Sequence, residues 1–282
     1  MLQDCQRTVG RGLLLHALHA AESGYKSVVV TAEGTDVLVL CLGMYNKIHM
    51  YQKCGTKART RFLDITKLSN ALGRSVCNAL IGMHAFTGQC ICWPGKITAL
   101  KQMKSDKAYQ EAFTELGRSW EVTEELSEKL QEITCRMYLP SPPRTTEVNK
   151  LRYQICARRA EVDSSQLPPC EDCLSMHILR ANYQAAIWWR CLEPSPFVPN
   201  PTDCGWTTDE DGNLVVEWMR GSSAPDAVLQ LLSCKCVRSC KLPVCTCLSD
   251  GLKCTDMCRL QTCSNQATED EPQAELTDSD VD

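Results

Sequence analysis

The sequence predicts an α/β domain, then a helical extension, then a small cross-linked module near the C-terminal end. Three observations carry this. Two compact β-branched runs, 27–31 (SVVVT) and 37–42 (VLVLCL), sit among stretches of helical periodicity. A long amphipathic stretch at 121–138 (EVTEELSEKLQEITCRMY) announces further helices. Eight of the twenty cysteines then fall between Cys234 and Cys263.

Residues 12–22 (GLLLHALHAAE) repeat apolar side chains at helical spacing and predict a first helix. His16 and His19 stand at a chelating offset on it, but Leu14, Leu15 and Leu18 surround them, which implies partly buried helix residues. Strands are expected at 27–31, 37–42, 47–51 and 60–65, and helices at 66–73, 74–85 and 96–116. Continuous apolar strands between helices predict a parallel or mixed sheet covered on both faces. The link AEGTD (32–36) puts Glu33 and Asp36 near the start of the second strand, where carboxylates can face a shared cleft. Taken alone, two such acids are more often turn and capping residues than ligands. Lys96, Lys101, Lys104 and Lys107 mark a helix face that is solvated by default and could otherwise touch a nucleic-acid backbone.

In the helix at 121–138, Thr123 is the expected N-cap, with Glu124 and Glu125 in the first turn. The segment 140–144 (PSPPR) ends it, and a second helix is expected at 145–159 with Val148, Leu151, Ile155 and Cys156 inward. A loop at 161–172, a Trp-rich helix at 174–191 and a Pro-rich connector at 193–203 follow. Trp188, Trp189, Trp206 and Trp218 are expected to pack a small helical and hairpin subdomain turning at 211–213. Cys170 and Cys173 form half of a possible metal site, with His177, Cys191 or Cys204 as partners, but the irregular spacing makes this a weak signal.

The formal charge of −4 hides a split, because residues 268–282 carry seven acids and no base, leaving residues 1–267 at +3. That tail has the composition of a disordered, solvating segment. No apolar run approaches membrane-spanning length, and residues 1–12 hold no signal-peptide core, so an intracellular, reduced protein is expected. The organisation read from these shifts is 10–120, 121–232, 233–265 and an acidic tail at 266–282.

The cysteine segment holds few sizeable apolar residues, among them Leu242, Val244, Leu248 and Leu252, and cannot fold on a hydrophobic core. Its thiols come as two Cys-x-Cys pairs, Cys234/Cys236 and Cys245/Cys247, followed by Cys240, Cys254, Cys258 and Cys263. The members of such a pair are poorly placed to bond each other but aim two sulfurs at one centre, which favours zinc over disulfides. Lys235, Arg238, Lys241, Lys253 and Arg259 outnumber Asp250 and Asp256 there, giving candidate phosphate contacts. A structural metal knot or a protein-docking surface is the plainer alternative.

The order C-x-C-x3-C-x4-C-x-C-x6-C-x3-C-x4-C-x-N, with Gly251 and Asn265 in place, resembles the tesmin-type CXC domain. The resemblance implies DNA binding by a cluster in which nine cysteines share three zinc ions, some sulfurs bridging two metals. Eight positions match; Leu260 stands where the family carries a further thiol, and Val244 where it carries an aromatic residue near the DNA. The metal count is therefore two or three zinc ions.

The segments LLLHALHA (13–20), VVVTAEGTDVLVL (28–40), YQKCGTKARTRFLDI (51–65) and LIGMHAFTG (80–88) look like metazoan transposon-associated proteins with a flap-endonuclease or PIN-like domain. Related proteins also share segments like 167–188 and 205–218. This resemblance implies a carboxylate cluster holding Mg²⁺ or Mn²⁺. Residues 5–12 lack the expected acids, Gly34 replaces another, and no Asp follows Gly88. Glu33 and Asp36 remain as vestigial candidates. The expectation is a truncated PIN-like parallel sheet, a helical extension and a zinc-stabilised module. Together these make a nuclear, DNA- or chromatin-associated protein without competent catalysis. A divalent-metal nuclease and a protein-interaction scaffold are the alternatives.

Overall fold

The computed structural model describes residues 2–44, 48–88, 96–138, 145–158, 167–193, 195–221, 234–249, 254, 258–260 and 263–265. It is a mixed α/β structure in two compact units, Met1–Arg220 and Gly221–Asp282.

In the first unit, α1 (Leu2–Glu22) leads into β1 (Ser27–Thr31), α2 (Thr35–Met44), β2 (His49–Cys54) and β3 (Arg61–Asp64). β1 and β2 are parallel, with Val28 opposite Met50, and α2 is the crossover between them. β2 and β3 are antiparallel, with Gln52 opposite Leu63. Their link of residues 55–60 is too short for a parallel crossover, so a hairpin forms and the expected parallel sheet is a mixed one. Val30, Met50, Gln52 and Cys54 point into the core, whereas Val29 and Phe62 on the other face are 52% and 59% exposed. The expectation of two covered faces therefore holds for one.

The run 37–42, expected as a strand, is the body of α2. Val37, Val39, Leu40, Cys41, Leu42 and Gly43 are all buried, so the helix is apolar around most of its circumference. Such a run has no period by which helix and strand can be told apart. Asp36 lies in its first turn, where the helix dipole favours a carboxylate. His16 and His19 on α1 are exposed rather than partly buried.

Helices α3 (Ile65–Leu72), α4 (Arg74–Thr87), α5 (Lys96–Ser105), α6 (Lys107–Glu115), α7 (Glu124–Tyr138), α8 (Val148–Arg158) and α9 (Glu171–Trp189) complete the unit. Asp64 caps α3 by accepting the Lys67 N–H at 2.8 Å. The single helix expected over 96–116 breaks at Asp106, whose side chain caps α6 through the Ala108 N–H at 2.9 Å. Thr123 caps α7 as expected, its Oγ1 accepting the Leu126 N–H at 3.2 Å.

α4 is the central helix, buried from Val76 to Thr87 apart from Asn78, and α2, α6 and α9 pack around it. Residues on both sides of position 120 contribute to this one core. Asn182 on α9 joins distant segments, accepting the Gly117 N–H at 2.7 Å and donating to the Ser119 and Trp120 carbonyls at 3.0 Å each. The hairpin of β4 (Trp206–Thr208) and β5 (Leu214–Val216) turns through Gly212, at φ 78°, and packs buried Trp206 against Tyr183. Trp218, expected to pack there, is 55% exposed.

Candidate metal centre

In the second unit the buried side chains among the described residues are Cys234, Cys236, Cys240, Cys245, Cys247, Cys254 and Cys258. Leu248, Leu260 and the partly exposed Cys263 pack against them. Sulfur takes the place of a hydrocarbon core. Cys234 and Cys236 point inward while Lys235 between them faces solvent, the i,i+2 alternation of extended backbone. The Val244 and Cys245 N–H groups both donate to the Lys241 carbonyl at 3.0 Å, which turns the chain back before the helical turn Thr246–Ser249.

None of these thiols is in a disulfide. Three groups of sulfurs lie within 4.8 Å of one another: Cys234, Cys236, Cys240 and Cys245; Cys234, Cys245, Cys247 and Cys254; and Cys240, Cys254 and Cys263. Cys258 adjoins them, 3.6 Å from Cys247 Sγ. Other separations are 3.7 Å for Cys234–Cys240, 3.8 Å for Cys240–Cys254, 3.9 Å for Cys234–Cys254 and 4.0 Å for Cys245–Cys254. Sulfurs bound tetrahedrally at a zinc–sulfur distance of about 2.3 Å lie about 3.8 Å apart. The donor set therefore fits thiolate-bound metal such as zinc, and all eight expected ligands converge.

Protein groups support the sulfurs. Asn265 Nδ2 donates to Cys254 Sγ at 3.3 Å, its carbonyl accepts the Cys254 N–H at 2.9 Å, and the Cys234 N–H donates to Cys258 Sγ at 3.4 Å. Burial pushes the Cys240 and Cys254 thiols far above the usual range, and burial with the neighbouring Cys258 lifts Cys247 to about 11. Cys245 is drawn down to about 7, chiefly by the Leu248 backbone. Without a cation burial disfavours the thiolates of Cys240, Cys247 and Cys254; a bound cation reverses that balance and releases protons.

Lys235, Arg238, Lys241 and Arg259 are exposed around this centre, and none forms an ion pair among the described residues. Lys253 lies outside the described residues. Val237, Leu242 and Val244 are also exposed, by 61%, 65% and 77%.

Glu33 and Asp36 sit past the carboxyl end of β1, where α/β sheets commonly place sites. Glu33 Oε1 accepts the Gly55 N–H at 2.8 Å, tying the β1–α2 loop to the end of β2. Asp36 Oδ1 lies 2.7 Å from Nε2 of buried His84 on α4, and that hydrogen bond holds its carboxyl below the usual range. Neither acid joins a group of three metal-ligating side chains among the described residues. Residues 89–95, where a further acid was sought, lie outside them. A cleft lined by Arg74, Ser75, Asn78, Gln110, Thr114 and Arg118 lies between α4 and α6 and includes neither acid. Nothing in the sequence paired His84 with Asp36, because packing alone joins α2 to α4.

Cys170 caps α9, its sulfur 3.5 Å from the Cys173 N–H. Its proposed partner His177 donates instead to the Phe86 carbonyl at 2.8 Å, and no metal-holding group includes Cys170 or Cys173 among the described residues. Lys96, Lys101, Lys104 and Lys107 are exposed. No described helix is long and apolar enough to cross a membrane. Comparison with protein-family models, curated proteins and solved structures finds no match to this chain.

Proposed function

We propose that this chain is a zinc-thiolate protein that associates with nucleic acid or chromatin, derived from a mobile element and lacking nuclease activity. The observation that carries the reading is the set of overlapping sulfur groups ringed by exposed Lys235, Arg238, Lys241 and Arg259. Zinc orders the backbone so that these cations can meet phosphates together. The resemblance to CXC domains supports the same reading. Catalytic silence is supported by Glu33 and Asp36, whose carboxylates are engaged by Gly55 and His84. A nuclear location follows from the proposed partner.

The test is titration of the zinc-loaded full-length chain with duplex DNA at several salt concentrations. Four phosphate contacts give a slope of log K against log salt of about −3.6, and each Lys or Arg→Ala substitution reduces it by about 1. A zinc-loaded protein with no salt-dependent DNA affinity refutes DNA binding. It would favour the second reading, a protein-docking surface, which exposed Val237, Leu242 and Val244 support.

A further inference from the structure

The three sulfur groups do not close equally. Cys240 belongs to the first and third, Cys254 to the second and third, and Cys234 and Cys245 to the first and second. These shared sulfurs are the natural bridges. Cys258 lies outside all three groups but 3.6 Å from Cys247, so we assign it to the second, with one shared sulfur of the first two groups left to the first alone. Eight thiolates with one bridge between each pair of ions then supply eleven bonds, whereas three tetrahedral ions need twelve. The shortfall falls on the third group, which offers Cys240, Cys254 and Cys263 and no fourth ligand among the described residues.

Two further observations mark the same place. Cys263 is the one member of the eight that is only partly buried, so among the described residues this group is the most open to solvent. Leu260 packs against the cluster and lies two residues after Cys258, the offset of the two Cys-x-Cys pairs, yet it brings hydrocarbon instead of a donor.

We propose that the chain binds three zinc ions, and that the ion held by Cys240, Cys254 and Cys263 keeps its fourth position for an exchangeable soft donor from outside the cluster. This rests on the zinc reading above. Three thiolates outweigh the charge of the ion, so a water in that position is only weakly acidified and the site is one of ligand exchange, not hydrolysis. An incoming thiol binds as its thiolate, the water leaves, and the proton passes to solvent.

Native mass spectrometry of the full-length chain at saturating zinc counts three ions. Competition with the chromogenic chelator 4-(2-pyridylazo)resorcinol then removes one ion at least tenfold faster than the other two. Cys263→Ser lowers the count to two and abolishes the fast phase, while Leu260→Cys keeps three ions and slows that phase to the rate of the rest. In the cobalt-loaded chain, 2-mercaptoethanol alters the visible spectrum of one ion in three. A saturated count of two, or three ions leaving in a single phase, overturns the proposal while leaving the zinc reading intact. A chain that binds no zinc overturns both.

Discussion

At the scale of single residues, two histidines show how the partner it meets decides a buried side chain's role. His84 and His177 are both buried, yet one meets a carboxylate and the other a carbonyl. Because a carbonyl only accepts, His177 Nε2 carries a proton; burial holds the ring's pKa down to about 4, against an ordinary 6.5, which keeps it neutral near pH 7. The unfolded chain therefore binds a proton that the folded chain refuses between these values. Stability rises with pH across that window: the contribution is present above 6.5 and is lost as pH falls toward 4, by about 3 kcal/mol. Tryptophan-detected urea unfolding of the wild type and of His177→Gln should show the wild type losing more stability between pH 7 and 4. Equal slopes would contradict a neutral buried ring. The sequence reading could name the eight sulfurs because their spacing is local, but Asp36 and His84 are 48 residues apart and meet only through tertiary packing.

At the scale of elements, legibility follows whether an element has one face to hide or many. α7 shows its cap, its acidic first turn and its apolar stripe in the sequence, and forms where these place it. α2 conceals its period because nearly every side is buried, so its β-branched valines suggested a strand. α4 is sealed in another way. A methyl group at Gly82 would lie 2.1 Å from the Phe113 carbonyl oxygen of α6, so the two backbones touch where no side chain intervenes. Gly82→Ala must push α6 away from α4 and should destabilise the first unit by about 1–3 kcal/mol, with zinc content unchanged. The check is the urea midpoint beside a metal count. An unaltered midpoint would mean that the helices separate without cost.

At the scale of the whole molecule, the two units rest on different cohesive forces. Met1–Arg220 is held by a continuous apolar core running from Leu14 through α4 to α9. In Gly221–Asp282, sulfur fills the interior among the described residues, and on the proposed zinc reading metal–thiolate bonds take the place of an apolar core. The described tryptophans, at positions 120, 188, 189, 206 and 218, lie in the first unit, so their emission reports on its folding. A strong chelator should therefore leave the tryptophan emission and its urea midpoint unchanged. In the same sample, the amides of residues 234–249, protected with zinc, should exchange freely, and added zinc should restore their protection. A tryptophan midpoint that falls on chelation would show the units to be thermodynamically coupled, and metal loss would then reach the apolar core. Protection that survives chelation would show that contacts other than metal–thiolate bonds hold the second unit, and would remove the basis for reading its cysteines as ligands.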